Sequence, residues 1–495
     1  MGFQKRMISE QVRLNVVNYN QSIDLKKILI KEKNFMTINM YYKCKICGCV
    51  CNLKYQMGYL KKHPIRYKCM CGVSIRGMYE ENSIISFENA DKIDEELPKF
   101  VVYCSGEFFT VPPFTVETFE QTIAKVPPPF ILATQLLEYE NYRKEITHIL
   151  YYREEKHRYV RAINELYAAE NYKKIKEVIR DKFDSKEYIF PLNNEADYLR
   201  ATTMINQIQF LNHDGINRTP KTVSILNTVF RNHVKESNAF LNFIKATSKL
   251  ETWKKRIYNI CDQIYDKINL LMPAVSVDFF KKVKKTDLDF FAITTSSFEE
   301  IKQLYVDLYE LIGNLLVLAI GIDNILLRDN YNAIKMVDGL KVYNLDDVIK
   351  MRNKGNIIKL IDEYAPIEEL LSNLLNSDIR NSIGHYSYVS NEIADSFGQK
   401  IEFADPNEKG QPEIRSLLQI CVDIWQMYKS LGVFNEIIHY FEMQILALEG
   451  EFPSFMATPD VYPKLVKHVP KMKIYPNDQC PCGSGMKYKK CCGRN

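Results

Sequence analysis

The sequence predicts a mainly α protein with a small β region near the N-terminus and a tight cysteine cluster towards each end. Three observations lead there. Apolar residues recur at three- and four-residue spacing through most of 130–449. Between 83 and 129 the pattern turns strand-like. Of 13 cysteines, six lie between Cys44 and Cys71 and four between Cys480 and Cys492.

The elements follow in order. Residues 1–35 form a polar N-terminal segment without the apolar stretch of an export signal. Residues 36–82 hold the first cysteine cluster. In 83–129, the runs Ile84–Phe87, Phe100–Tyr103 and Phe108–Val111 read as strands, and Pro127-Pro128-Pro129 ends the segment. Residues 130–297 read as a helical domain; its Tyr139–Lys186 stretch interleaves Lys and Arg with Tyr and Glu, which suits a solvated helical face better than an RNA-facing surface. A looser segment around Pro273 and the basic run Lys281–Lys285 lead into a second helical domain, 298–449.

Within that domain, Ile301–Leu327 is strongly apolar but contains Asn314, Asp323 and Asn324, which suits a buried helix and not a membrane span. Ile367, Leu370, Leu371, Leu374, Leu375 and Ile379 make an apolar stripe, and Pro366 fits the first turn of its helix. Leu417–Leu448 is one long apolar-periodic stretch with Gly432 as the candidate break. Gln399–Phe403 and the turn Asp405-Pro406-Asn407 suggest an exposed hairpin. Residues 450–475, with four prolines, form a linker to 476–495.

Clustered cysteines in a chain without an export signal read as metal sites in a reducing cytoplasm. Cys44-x-x-Cys47-Gly48 is a knuckle-type pair, and Cys69-x-Cys71-Gly72 would close a zinc ribbon across a hairpin. The second pair is one residue short of the usual spacing, so Cys49, Cys51 and His63 stay open as alternative ligands. The net charge of +5 conceals a sharper pattern. Lys43–Arg76 carries +8 and Lys464–Asn495 carries +7, which leaves −10 for the remainder. Both clusters therefore sit in basic patches suited to a phosphate-rich partner. Around the first, Lys61, Lys62, Arg66, Lys68, Tyr55, Tyr59 and Tyr67 fit nucleic-acid contact and fit an ordinary ribbon equally well.

The chemistry-bearing motif is Arg380-Asn381-Ser382-Ile383-Gly384-His385, a fixed cation, an amide and an imidazole at the end of an apolar helix. The spacing alone is cheap, since Arg143–His148 repeats it without the asparagine and inside a charged stretch. On a regular helix Arg380 and His385 stand roughly 140° apart. They converge only if the helix ends or distorts between them, for which Gly384 is the expected point.

The run from Cys480 to Gly493 resembles the SEC-C motif, the zinc-binding tail of the preprotein translocase motor. The resemblance implies zinc on Cys480, Cys482, Cys491 and Cys492, and a docking role with ribosomes among the partners. The 298–449 region, with Arg-Asn-x3-His after its helix, resembles the HEPN superfamily. That implies a helical bundle, a homodimer with two motifs facing one cleft, and metal-independent cleavage of RNA (mRNA, tRNA or ribosomal) in toxin or anti-phage defence. His385 would act as general base or acid, Arg380 would stabilise the phosphorane, and Asn381 would orient them. Two structural zinc ions and no catalytic metal are expected. The rival expectation is a non-catalytic ribosome- or RNA-binding protein built from the same modules.

Overall fold

The computed structural model describes residues 36–81, 85–118, 136–184, 189–210, 215–247, 249–281, 283–361, 375–390, 399–404, 412–454 and 487–490. Most of the apolar stripe from Ile367 to Ile379, the 405–411 turn, most of the 450–475 linker and the tail cysteines lie outside these residues.

Among the described residues, the N-terminal part has eight strands: β1 (Thr37–Cys44), β2 (Val50–Gln56), β3 (Lys62–Lys68), β4 (Ser74–Glu80), β5 (Ser86–Phe87), β6 (Ala90–Ile93), β7 (Phe100–Ser105) and β8 (Phe114–Thr115). They form a five-stranded sheet of order β6-β1-β2-β7-β8 and a three-stranded sheet β3-β4-β5. β1 and β2 are an antiparallel hairpin, whereas β2 and β7 run parallel. Strands from 36–82 and from 83–129 thus share one sheet, and Tyr42, Leu53, Ile65, Tyr67, Phe87 and Phe100 share one core. The run Phe108–Val111 forms no strand; only Thr110 makes an isolated bridge, to Ala292.

The helical part comprises α1 (Tyr139–Tyr151), α2 (His157–Ala168), α3 (Tyr172–Lys182), α4 (Glu195–Gln207), α5 (Gly215–Asn232), α6 (Val234–Thr247), α7 (Leu250–Asp266), α8 (Ile268–Val277), α9 (Phe298–Arg328), α10 (Leu345–Lys350), α11 (Lys354–Ile357), α12 (Ser377–Gly384) and α13 (Leu417–Glu449). Side-chain caps set several of their starts. Asn171 and Asn194 accept from the backbone N–H of Lys174 and Asp197. At α9 the Glu300 carboxylate accepts from the Ser297 N–H and hydroxyl, both at 2.9 Å. Pro273, expected in a loose segment, lies inside α8.

One hydrophobic cluster spans both helical stretches, on either side of position 297. Its hub is α13, which packs on α4, α5, α7, α8 and α9. By length and composition α9 could cross a membrane, but most of it is buried inside this cluster. Its polar residues are accommodated there: Asn314 donates to the Glu310 carbonyl at 2.8 Å and Asn324 to that of Tyr331 at 2.9 Å. The β part docks on this bundle. The Arg66 N–H donates to the Thr294 carbonyl at 2.7 Å, and its guanidinium pairs with Glu300 at 3.2 Å.

Gly432 does not break α13, which runs unbroken to the left-handed Gly450. Its role is close approach, since a Cβ there would lie 2.9 Å from the Phe210 ring. Gly432→Ala is expected to cost about 1–3 kcal/mol through overpacking. Urea unfolding would show it as a lowered midpoint; an unchanged midpoint would refute the close-packing account.

A third sheet, β11-β10-β9, follows α12. It consists of β9 (Tyr388–Ser390), β10 (Lys400–Phe403) and β11 (Glu413–Ser416), all antiparallel. The expected hairpin is thus present as β10 and β11, and β9 joins its edge.

Candidate metal centre and motif site

The two hairpin turns of the N-terminal part bring four cysteines together. Cys44 and Cys47 lie at the β1–β2 turn, Cys69 and Cys71 at the β3–β4 turn, and all four Sγ atoms lie within 4.8 Å of one another. Cys47 and Cys69 are 3.5 Å apart, and Cys44 and Cys71 4.0 Å. A tetrahedral ion with Zn–S bonds of about 2.3 Å would need edges of roughly 3.8 Å. The set therefore fits a tetrahedral metal ion.

Each turn is closed by a glycine N–H, four positions past the accepting cysteine in the first and three in the second. The Gly48 N–H donates to the Cys44 carbonyl at 2.9 Å and the Gly72 N–H to that of Cys69 at 2.8 Å. Both glycines are left-handed, at φ +73° and +87°. The short Cys69-x-Cys71 spacing is thereby no obstacle. Of the alternatives, His63 is buried and bonded on both nitrogens, to the Tyr55 hydroxyl at 2.7 Å and the Pro64 carbonyl at 3.0 Å. Burial lowers it to about 4. Cys51 is buried in the sheet core, and Cys49 lies outside the four-thiol cluster.

The basic and aromatic residues nearby are less available than their sequence suggests. Tyr55, Tyr59 and Tyr67 are buried. Lys62 pairs with Glu80 and Arg66 with Glu300. The aromatic half of that pattern is core, and no base could stack on it.

The hexapeptide occupies α12 and the residue after it. Asn376 fixes the helix start: its side-chain oxygen accepts from the N–H of Asp378 at 2.9 Å and of Ile379 at 3.1 Å. Its amide nitrogen donates to Glu413 of β11 at 2.9 Å. Ile379 and Ile383 anchor the buried face. Arg380 projects towards α9, where its Nε donates to Glu310 at 2.7 Å. Its Nη1 reaches the Asn381 side-chain oxygen at 3.4 Å. Glu310 also faces Lys354, whose ammonium is pushed down by burial against the carboxylate's pull. Burial, reinforced by Glu310, pushes the neighbouring Tyr309 phenol up to about 12.

The helix ends at Gly384, with His385 as its cap. The His385 N–H still donates to the Asn381 carbonyl at 2.9 Å, and the left-handed residue is Tyr386, at φ +56°. Arg380 and Asn381 are therefore brought together, while His385 is exposed at the helix end. Among the described residues, no side-chain hydrogen bond or ion pair joins its imidazole to either. A Cβ on Gly384 would meet only the Arg380 Nη1, at 3.4 Å. Its missing side chain leaves the space beside the guanidinium open. The Arg143–His148 copy differs on each count. It lies within one helix, Arg143 pairs with Glu140, and His148 is buried and lowered to about 4 by that burial.

Glu310 is the site residue that sequence reading missed. No local signal marked it, since α9 also carries Glu299, Glu300, Asp307 and Asp323.

The C-terminal residues 477–494 match the SEC-C motif. Tail-sized stretches also match curated proteins. A UPF0225 protein of Vibrio vulnificus (strain CMCP6) is 48% identical over 46 residues, which are 9% of this chain and 26% of the relative. Protein translocase subunit SecA of Carboxydothermus hydrogenoformans is 76% identical over 25 residues, 5% of this chain and 3% of that protein. A UPF0225 protein of Vibrio parahaemolyticus is 44% identical over 46 residues, 26% of its length. The chain thus covers about a quarter or less of each. No solved structure matches. The four cysteines of the motif, Cys480, Cys482, Cys491 and Cys492, lie outside the described residues.

Proposed function

We propose that the protein is a HEPN-type, metal-independent endoribonuclease. One observation carries this reading: Glu310 anchors Arg380 by its Nε edge beside the bare backbone of Gly384, with the exposed His385 just beyond. A guanidinium so held can present its Nη edge to two phosphate oxygens. An exposed imidazole can take the ribose 2′ proton or return one to the leaving 5′ oxygen. Asn381 holds the Nη1 side and orients the phosphate. Because His385 has no bond to Arg380 in one chain, the complete site forms when RNA bridges them or when two copies face one cleft, as in a homodimer.

Structural zinc at Cys44, Cys47, Cys69 and Cys71, and a second ion on the tail cysteines, would stabilise modules that deliver the enzyme to RNA or the ribosome in the cytoplasm. A toxin or anti-phage role goes with this class. The second reading, a non-catalytic ribosome-binding protein, is favoured by the SEC-C match, because such tails are docking devices.

The deciding experiment incubates purified protein with total RNA in EDTA and maps the new ends. Discrete cuts leaving 2′,3′-cyclic phosphates are expected from wild type and none from His385→Ala. Equal cleavage by both proteins would remove the nuclease assignment. Co-sedimentation with ribosomes without any cleavage would favour the second reading.

A further inference from the structure

Glycine and tyrosine stand in unexpected places at the end of α12. Gly384 adopts ordinary helical geometry and has room for a side chain. Two residues on, Tyr386 holds the left-handed φ of +56°, a conformation that a bulky side chain adopts only at a cost. Its ring repays little of that cost by packing, because the residue is 81% exposed. The described polar environment is one cation, Lys302, whose Nζ lies 5.9 Å from the ring centroid and is itself held by Glu299 and Tyr388. For folding alone, asparagine or glycine would serve better at this position. Strain at a solvent-facing aromatic points to a use of the ring itself.

The neighbours indicate that use. Tyr386 follows His385 directly, and the Arg380 guanidinium lies beside the open backbone of Gly384. The conspicuous tyrosines of the N-terminal part are buried, so they offer no face to a base. The geometry points to Tyr386 as a stacking platform for one unpaired RNA base next to the phosphate held by Arg380. Lys302 beside the ring adds positive charge for the flanking backbone. The site would then take single-stranded RNA and discriminate against duplex, whose bases are already stacked. This inference rests on the nuclease reading for its substrate, but base stacking is measurable without cleavage.

The test uses full-length His385→Ala protein, in which binding is uncoupled from cleavage. Fluorescence anisotropy reads its affinity for a short labelled single-stranded RNA of mixed sequence and for the same RNA annealed to its complement. Adding Tyr386→Asn should weaken single-strand binding by about tenfold or more. Adding Tyr386→Phe or Tyr386→Trp should preserve it. The thermal midpoint of the Asn variant should equal or exceed that of its parent, because strain is relieved and almost no contact is lost. Equal affinity of the Asn and parent proteins overturns the proposal, as does absence of RNA binding. A Tyr386→Asn protein that binds normally but loses self-association in sedimentation overturns it in favour of a contact between copies. Wild-type cleavage is assayed alongside. Tyr386-dependent binding without cleavage keeps the stacking site and removes the nuclease. His385-dependent cleavage with binding indifferent to Tyr386 does the reverse.

Discussion

Arg380→Ala should lower RNA cleavage by about 10²–10³-fold, the usual loss when a donor to a developing oxyanion is removed. Stability should hardly change. The Arg380–Glu310 pair has side chains 33% and 37% exposed, and such partly solvated pairs contribute about 0–1 kcal/mol after screening. The two readouts therefore separate, with a large loss in kcat and almost none in the urea midpoint. Arg380→Lys should recover little, because an ammonium cannot bond Glu310 through one edge while offering a planar fork to phosphate. Glu310→Gln should fall between wild type and Arg380→Ala, since an amide oxygen can still accept from Nε but without the charge that holds it. Cleavage by Arg380→Ala at the wild-type rate would show that the guanidinium serves only to tie α12 to α9.

Cys69→Ser should have the largest effect on stability. Cys69 is buried between the two turns, and its thiol lies 3.5 Å from that of Cys47. Four-coordinate zinc in small domains is worth about 10–16 kcal/mol near neutral pH, so losing one ligand should cost several kcal/mol. Purified variant should carry one zinc equivalent fewer than wild type, in a colorimetric assay of metal released by acid. Far-UV dichroism should keep most of the helical signal, because the bundle has its own hydrophobic cluster. Limited proteolysis should then cut first within 36–118. Metal affinity should also weaken as pH falls, because protons compete with metal for the four thiols. Wild-type zinc content and stability in the serine variant would exclude these cysteines as ligands.

Much of the fold was legible because its signals are local. The apolar period of Ile301–Leu327 became α9, and the stretch Leu417–Leu448 became α13. The four ligand candidates Cys44, Cys47, Cys69 and Cys71 were readable from knuckle spacing and its glycines, and the structure brings them together. What stayed hidden depends on contacts distant in sequence. The parallel pairing of β2 with β7 joins segments that composition separates. The shared core of the two helical stretches leaves no local mark at position 297. At the motif, α12 does end at Gly384, where glycine suggested it, but the left-handed residue that follows is Tyr386, which no local signal marks. Glu310 was unreadable as an anchor because its partner lies 70 residues away.

The place of α13 bears on when the protein can act. It is the hub of the bundle, and it begins only at Leu417. During synthesis from the N-terminus, helices α4 to α9 emerge with their mutual binding surface still missing. Domains form as units, and contacts of long sequence separation come late. The motif at Arg380–His385 is thus translated before the helix that completes the core beneath it. A chain interrupted before Leu417 would carry every residue of the motif and no finished scaffold to hold it. Truncated products should therefore be protease-sensitive, and a chain must reach past Leu417 before the motif has a fixed support.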